Sequence, residues 1–120
     1  MVKKVLVVDD SLAETRLLQS LLTQGGYQSV AISDPTKLEE AIEDERPNVI
    51  LLDVVMPKRN GFQACRDLKN HQSYAKIPVI LVTSKTAPSD RYWGLQQGAN
   101  GFVAKPFTPD ELISAVKKLA

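Results

Sequence analysis

The chain has 120 residues, of which 43% are hydrophobic and 24% charged, with one cysteine and a net charge of +1. That is the chain of one compact domain, expected to span residues 1–120, with enough apolar residues for a core and no bias toward disorder. A near-neutral charge offers no general attraction to nucleic acid or to an anionic membrane, and the single Cys65 excludes an internal disulfide and fits the cytoplasm.

The first apolar run, Val5-Leu6-Val7-Val8, stops at Asp9-Asp10, too soon for a signal-peptide core, and no later run reaches membrane-spanning length. It reads as a strand followed by a helix that Asp10 or Ser11 can cap and that Gly25-Gly26 can end. A second strand is predicted at Ser29 to Ile32, and Asp34-Pro35 opens a second helix. The third strand, Val49 to Leu52, runs into Asp53. A helix beyond it carries Phe62, Cys65 and Leu68 at one spacing, which makes Cys65 a small buried hydrophobe. The fourth strand, Val79 to Val82, ends in Thr83-Ser84.

In the next helix Tyr92, Leu95 and Ala99 share a stripe, Trp93 falls at or beyond the edge of the buried face, and Gly98 suits the C-terminus. Phe102 to Ala104 is the last strand, ending at Lys105-Pro106, where a cis peptide is expected because the turn must aim Lys105 at the strand ends. Thr108-Pro109-Asp110-Glu111 then supplies an N-cap, a first-turn proline and a capping-box glutamate for a helix packing Leu112, Ala115, Val116 and Leu119. Continuous apolar runs alternating with helices predict a doubly wound α/β fold, a five-stranded parallel sheet covered on both faces.

In such sheets ligands bind outside the carboxyl ends of the strands. Here those ends carry Asp9-Asp10, Asp53, Thr83-Ser84 and Lys105. Two carboxylates ~4 Å apart repel by about 4 kcal/mol at an effective dielectric of ~20, so three together call for a divalent cation. Oxygen ligands with room for water suit Mg2+ and resemble no zinc site. One aspartate alone would be read as a helix cap. Capping explains neither the Asp9-Asp10 doublet nor a lysine at the same edge.

With these residues in place the chain resembles bacterial response-regulator receiver domains of the chemotaxis (CheY-like) type over essentially all its length. The matching stretches are Val5 to Ser11, Leu51 to Pro57 with Gly61, Val82 to Ser84, and Gly101 to Phe107. The resemblance implies a flavodoxin-like (βα)5 fold with strand order 2-1-3-4-5. It also implies Asp53 as the phosphoacceptor and a metal ligand, Asp10 as a direct ligand, the Val55 backbone carbonyl as another, and Asp9 as a ligand through water. Lys105 would neutralise phosphoryl charge, and Thr83 and Phe102 would move inward as the switch. A sensor histidine kinase would be the donor. A separate target protein would read the surface of the fourth helix, fifth strand and fifth helix. The domain would be a switch, a monomer or weak dimer, and not a turnover enzyme.

Tyr92-Trp93-Gly94 and Gln97-Gly98-Ala99 look like stand-alone receivers of chemotaxis-like systems controlling type IV pilus motility. Val55 and Lys85 depart from the chemotaxis prototype. An apolar Val55 beside Asp53 is expected to hinder the attacking water and slow phosphoryl loss. Trp93, an aromatic among polar residues, is expected to belong to a partner surface. An aspartyl phosphatase would need an Asp-x-Asp pair and a cap. A flavin carrier would need a Ser/Thr/Gly-rich loop where Asp9-Asp10 stand. A degenerate receiver would lack some of the site residues, and His71 is expected to be a solvated loop residue without a role.

Overall fold

The computed structural model describes residues 2–120. Five strands, β1 (Lys4–Val8), β2 (Gln28–Ile32), β3 (Val49–Leu52), β4 (Val79–Thr83) and β5 (Gly101–Ala104), form one parallel sheet in the order β2-β1-β3-β4-β5. Between and after them run α1 (Leu12–Gln24), α2 (Leu38–Glu45), α3 (Gly61–Lys69), α4 (Pro88–Gln96) and α5 (Pro109–Leu119). The fold class and strand order are those expected.

Alternation along the central strands divides the core in two. Leu6, Val8, Ile50, Leu52, Val79 and Leu81 face α2 and α3, whereas Val5, Val7, Val49, Leu51, Ile80 and Val82 face α1 and α5. Both faces are covered, so β1, β3 and β4 carry unbroken apolar runs. Cys65 lies fully buried in the first of these clusters, and burial pushes its thiol up to about 11.

The helix ends follow local chemistry. Ser11 caps α1, its Oγ accepting from the Glu14 amide at 3.3 Å, and Thr108 and Glu111 form the reciprocal capping box of α5. Asp34-Pro35 opens a single 3-10 turn, Pro35–Lys37, which leads into α2. The Lys105-Pro106 peptide is cis, as expected.

One helix sits differently from its sequence pattern. Tyr92 and Leu95 of the expected inward stripe are each 64% exposed, and Gly94 is the buried residue of α4. A Cβ at Gly94 would lie 2.9 Å from Leu81 Cδ1, so the helix approaches the sheet through a glycine. That contact turns Tyr92, Trp93 and Leu95 outward.

Candidate functional site

Each strand end delivers its residue to the same edge. Asp9 follows β1 and is 2% exposed, Asp53 follows β3 and is 9% exposed, and between them Asp10 opens to solvent. The backbone fixes Asp53 through its amide, which donates to Val8 O at 3.0 Å. One carboxylate oxygen from each of Asp9, Asp10 and Asp53 can be chosen so that all lie within 4.8 Å of one another.

Lys105 reaches the cluster from β5, its amide donating to Thr83 O at 2.8 Å. Its Nζ donates to Asp9 Oδ2 at 3.2 Å and stands 3.8 Å from both Asp53 Oδ1 and Glu14 Oε2. One ammonium therefore serves three carboxylates, and Asp10 adds a fourth to the cluster without an ion pair to Lys105. Burial, opposed by Lys105 and reinforced by the Asp9 charge, pushes the Asp53 carboxyl up to about 6, and the Val55 and Val54 amides hold it down in turn. Excess negative charge, oxygen donors alone, and an open side at Asp10 fit a hard divalent cation.

The cluster organises its own surroundings. Asp9 Oδ1 accepts the Ser11 amide at 2.9 Å, the bond a capping-box glutamate would otherwise make, and Glu14 turns instead toward Lys105. Gly61 is required by close approach, since a Cβ there would run into the Asp53 carbonyl oxygen. Its amide donates to Val54 O at 2.9 Å and closes the turn after Asp53.

The side chains of the remaining expected residues have their own partners or face solvent rather than bonding to the acidic cluster. Thr83 is fully buried and its Oγ1 accepts the Lys85 amide at 3.1 Å, so its hydroxyl is engaged locally. Phe102 is half-buried against the α2/α3 side of the core, with the Arg91 guanidinium 4.8 Å from its ring centroid. Val55 is 55% exposed. Trp93 is 51% exposed and lines a groove between α3 and α4 with Arg66, Lys69 and Gln96. His71 is exposed in its loop and stacks on Tyr74.

Sequence reasoning missed Glu14 and Arg59. Glu14 reads as a capping residue, and only the fold shows that Asp9 has taken that bond. Arg59 forms a two-toothed pair with Glu39, twenty residues earlier, at 2.8 and 2.7 Å, a contact between α2 and the loop after β3 with no local signal.

The sequence profile described as the response regulator receiver domain matches residues 5–117. The chain belongs to the response-regulator receiver family. It is 36% identical over 113 residues to the protein PilH of Pseudomonas aeruginosa, covering 94% of this chain and 93% of that one. The first curated relatives it matches are longer, and the chain spans about half of them, 48%. Among solved structures, the chemotaxis protein CheY4 of Vibrio cholerae superposes with a TM-score of 0.92 at 28% identity, covering all of both chains. The receiver domain of the Pseudomonas aeruginosa sensor histidine kinase PA1611, solved with a magnesium ion coordinated in its active-site cleft, matches at 0.89 and 26%, covering 99% and 98%. As a receiver the domain is a module of phosphorylation-based signalling and not a turnover enzyme. Among the described residues no helix is long and apolar enough to cross a membrane.

Proposed function

We propose that this receiver switches a separate partner protein by accepting a phosphoryl group on Asp53 from a sensor histidine kinase. The observation that carries the reading is the convergence of Asp9, Asp10, Asp53 and Lys105 at one sheet edge, with the Asp53 carboxyl pushed up to about 6. A nucleophile at that value is largely ionised at neutral pH yet poorly solvated, which favours attack.

Asp10, Asp53 and the Val55 carbonyl would hold Mg2+ directly, and Asp9 through water. Bound there, the ion would neutralise charge on the phosphoryl oxygens. An Asp53 oxygen attacks phosphorus in line, and the bond from phosphorus to the donor breaks as the donor departs with its electron pair. The Lys105 ammonium, already held by Asp9, is positioned to pair with the transferred group. Its three oxygens offer acceptors to the Thr83 hydroxyl, whose oxygen accepts the Lys85 amide while its proton can be donated to them.

That new hydrogen bond would draw the β4–α4 loop inward and let Phe102 follow, releasing it from Arg91. A two-state packing of this kind needs a gap of only a few kcal/mol. The surface of α4, β5 and α5 would report the state, and the outward Tyr92, Trp93 and Leu95 would offer the partner apolar anchors. Trp93 lies on the α3 side of that surface. The resemblance of Tyr92-Trp93-Gly94 and Gln97-Gly98-Ala99 to stand-alone receivers of type IV pilus systems supports a role in pilus motility signalling.

The test is incubation with a small acyl-phosphate donor. One phosphoryl group per chain is expected with Mg2+, and none with a chelator or in Asp53→Asn. Undiminished labelling of Asp53→Asn would overturn the proposal.

A further inference from the structure

The loop between β3 and α3 carries the proposed acceptor and two of the proposed metal ligands on its first three residues. The amides of Val54 and Val55 face the Asp53 carboxylate closely enough to lower its proton affinity, and the Val55 carbonyl is the proposed metal ligand. Val54 and Met56 are buried, but Val55 is exposed and Lys58 adopts the left-handed conformation at φ 71°. Packing alone therefore leaves the middle of the loop lightly held.

Its far end is tied to the neighbouring elements by Arg59, beside a looser, exposed pair in which Lys58 Nζ stands 3.8 Å from Asp34 Oδ2. Arg59 is 12% exposed, and its two terminal nitrogens make two bonds each. Nη1 donates to Pro35 O at 2.9 Å and Glu39 Oε1 at 2.8 Å, and Nη2 to Glu39 Oε2 at 2.7 Å and Asp67 Oδ2 at 3.0 Å. The turn after β2, the start of α2 and the body of α3 thus meet on one guanidinium. The pair holds the Glu39 carboxyl below its ordinary range, so the clamp is fully charged at neutral pH. An exposed ion pair would fix little, but a planar two-toothed fork with low exposure fixes direction as well as distance.

We infer that Arg59 is a positioning residue for the acceptor site: its fork on Glu39 holds the Asp53–Asn60 loop in the form that presents the Val54 and Val55 amides and the Val55 carbonyl. The inference rests on the metal and acceptor roles proposed above. None of Pro35, Glu39 and Asp67 belongs to the acidic cluster, so the clamp acts through the loop and not by its own field on the metal. Losing it should loosen the loop while the strands remain intact.

The experiment compares the unaltered chain with Arg59→Met and Arg59→Lys. Isothermal titration calorimetry gives Mg2+ affinity, and amide hydrogen exchange in metal-free protein reports the loop directly. Arg59→Met should bind Mg2+ roughly tenfold more weakly, the low end of what loss of an outer supporting group costs a metal site. Arg59→Lys, which keeps the charge but not the fork, should fall between, and so carries the test if the Met variant fails to fold. Exchange at residues 54–60 should accelerate while the β1, β3 and β4 amides keep their protection. Glu39→Met should weaken Mg2+ binding similarly, with the double variant no worse than either single one.

If the variants lose thermal stability but keep Mg2+ affinity and loop protection, Arg59 is a brace only and the inference is wrong. If the unaltered chain binds no Mg2+, the reading of the site itself has failed. The two failures are therefore separate results.

Discussion

Asp53 should make the metal-free protein less stable above pH 6 than it is when that charge is removed. The folded structure pushes its carboxyl from 3.8 up to about 6, through burial first and the Asp9 charge in part. Below pH 4 the group is protonated in folded and unfolded chains alike and contributes nothing. Between 4 and 6 the unfolded chain releases its proton while the folded chain retains it, so stability falls as pH rises. Above 6 the loss is complete. At ~1.4 kcal/mol for each pH unit of that gap it is at most about 3 kcal/mol. Asp53→Asn mimics the protonated form, so urea unfolding in a chelator should show the variant more stable at pH 8 by up to that amount and equal near pH 4. Added Mg2+ should stabilise the unaltered chain and narrow the difference. A variant less stable than the parent at pH 8 would refute the reasoning, because it would mean that the Lys105 pair outweighs burial.

Three other outcomes follow from particular contacts. Gly61→Ala forces a methyl against the Asp53 carbonyl and should cost about 1 to 3 kcal/mol by denaturant melts and slow acyl-phosphate labelling with it. Val55→Asn should shorten the phosphoryl lifetime, since an amide can orient the attacking water that the exposed valine cannot, and decay followed by intact mass should be faster than in the parent. Trp93→Ala removes a half-exposed ring, so stability should change by less than about 1 kcal/mol while affinity for kinase or target falls. A loss of several kcal/mol would mean that the ring is packed.

The sheet was readable because β1, β3 and β4 are buried on both faces, and burial writes itself as unbroken runs such as Val49 to Leu52. The site was readable for a related reason. A parallel sheet gathers its strand ends at one edge, so the residues following each run were already candidates. The orientation of α4 was not readable, because hydrophobic periodicity finds inward apolar side chains and this helix packs through Gly94, which has none. Arg59 with Glu39 and Glu14 with Lys105 were invisible for another reason, since each joins segments far apart in sequence through charges that look solvated on their own elements. Both of these pairs concern how the strand-end cluster is held, whereas the strand pattern bears on which residues meet there.

Where the label sits decides the central claim. After reaction with an acyl-phosphate donor and Mg2+, borohydride converts an aspartyl phosphate to homoserine at the modified position, and peptide sequencing by mass spectrometry then locates it. The account predicts conversion at Asp53 alone, with Asp9 and Asp10 unchanged. Homoserine at either of those positions, or none at Asp53 in chains that carry the label, would contradict it.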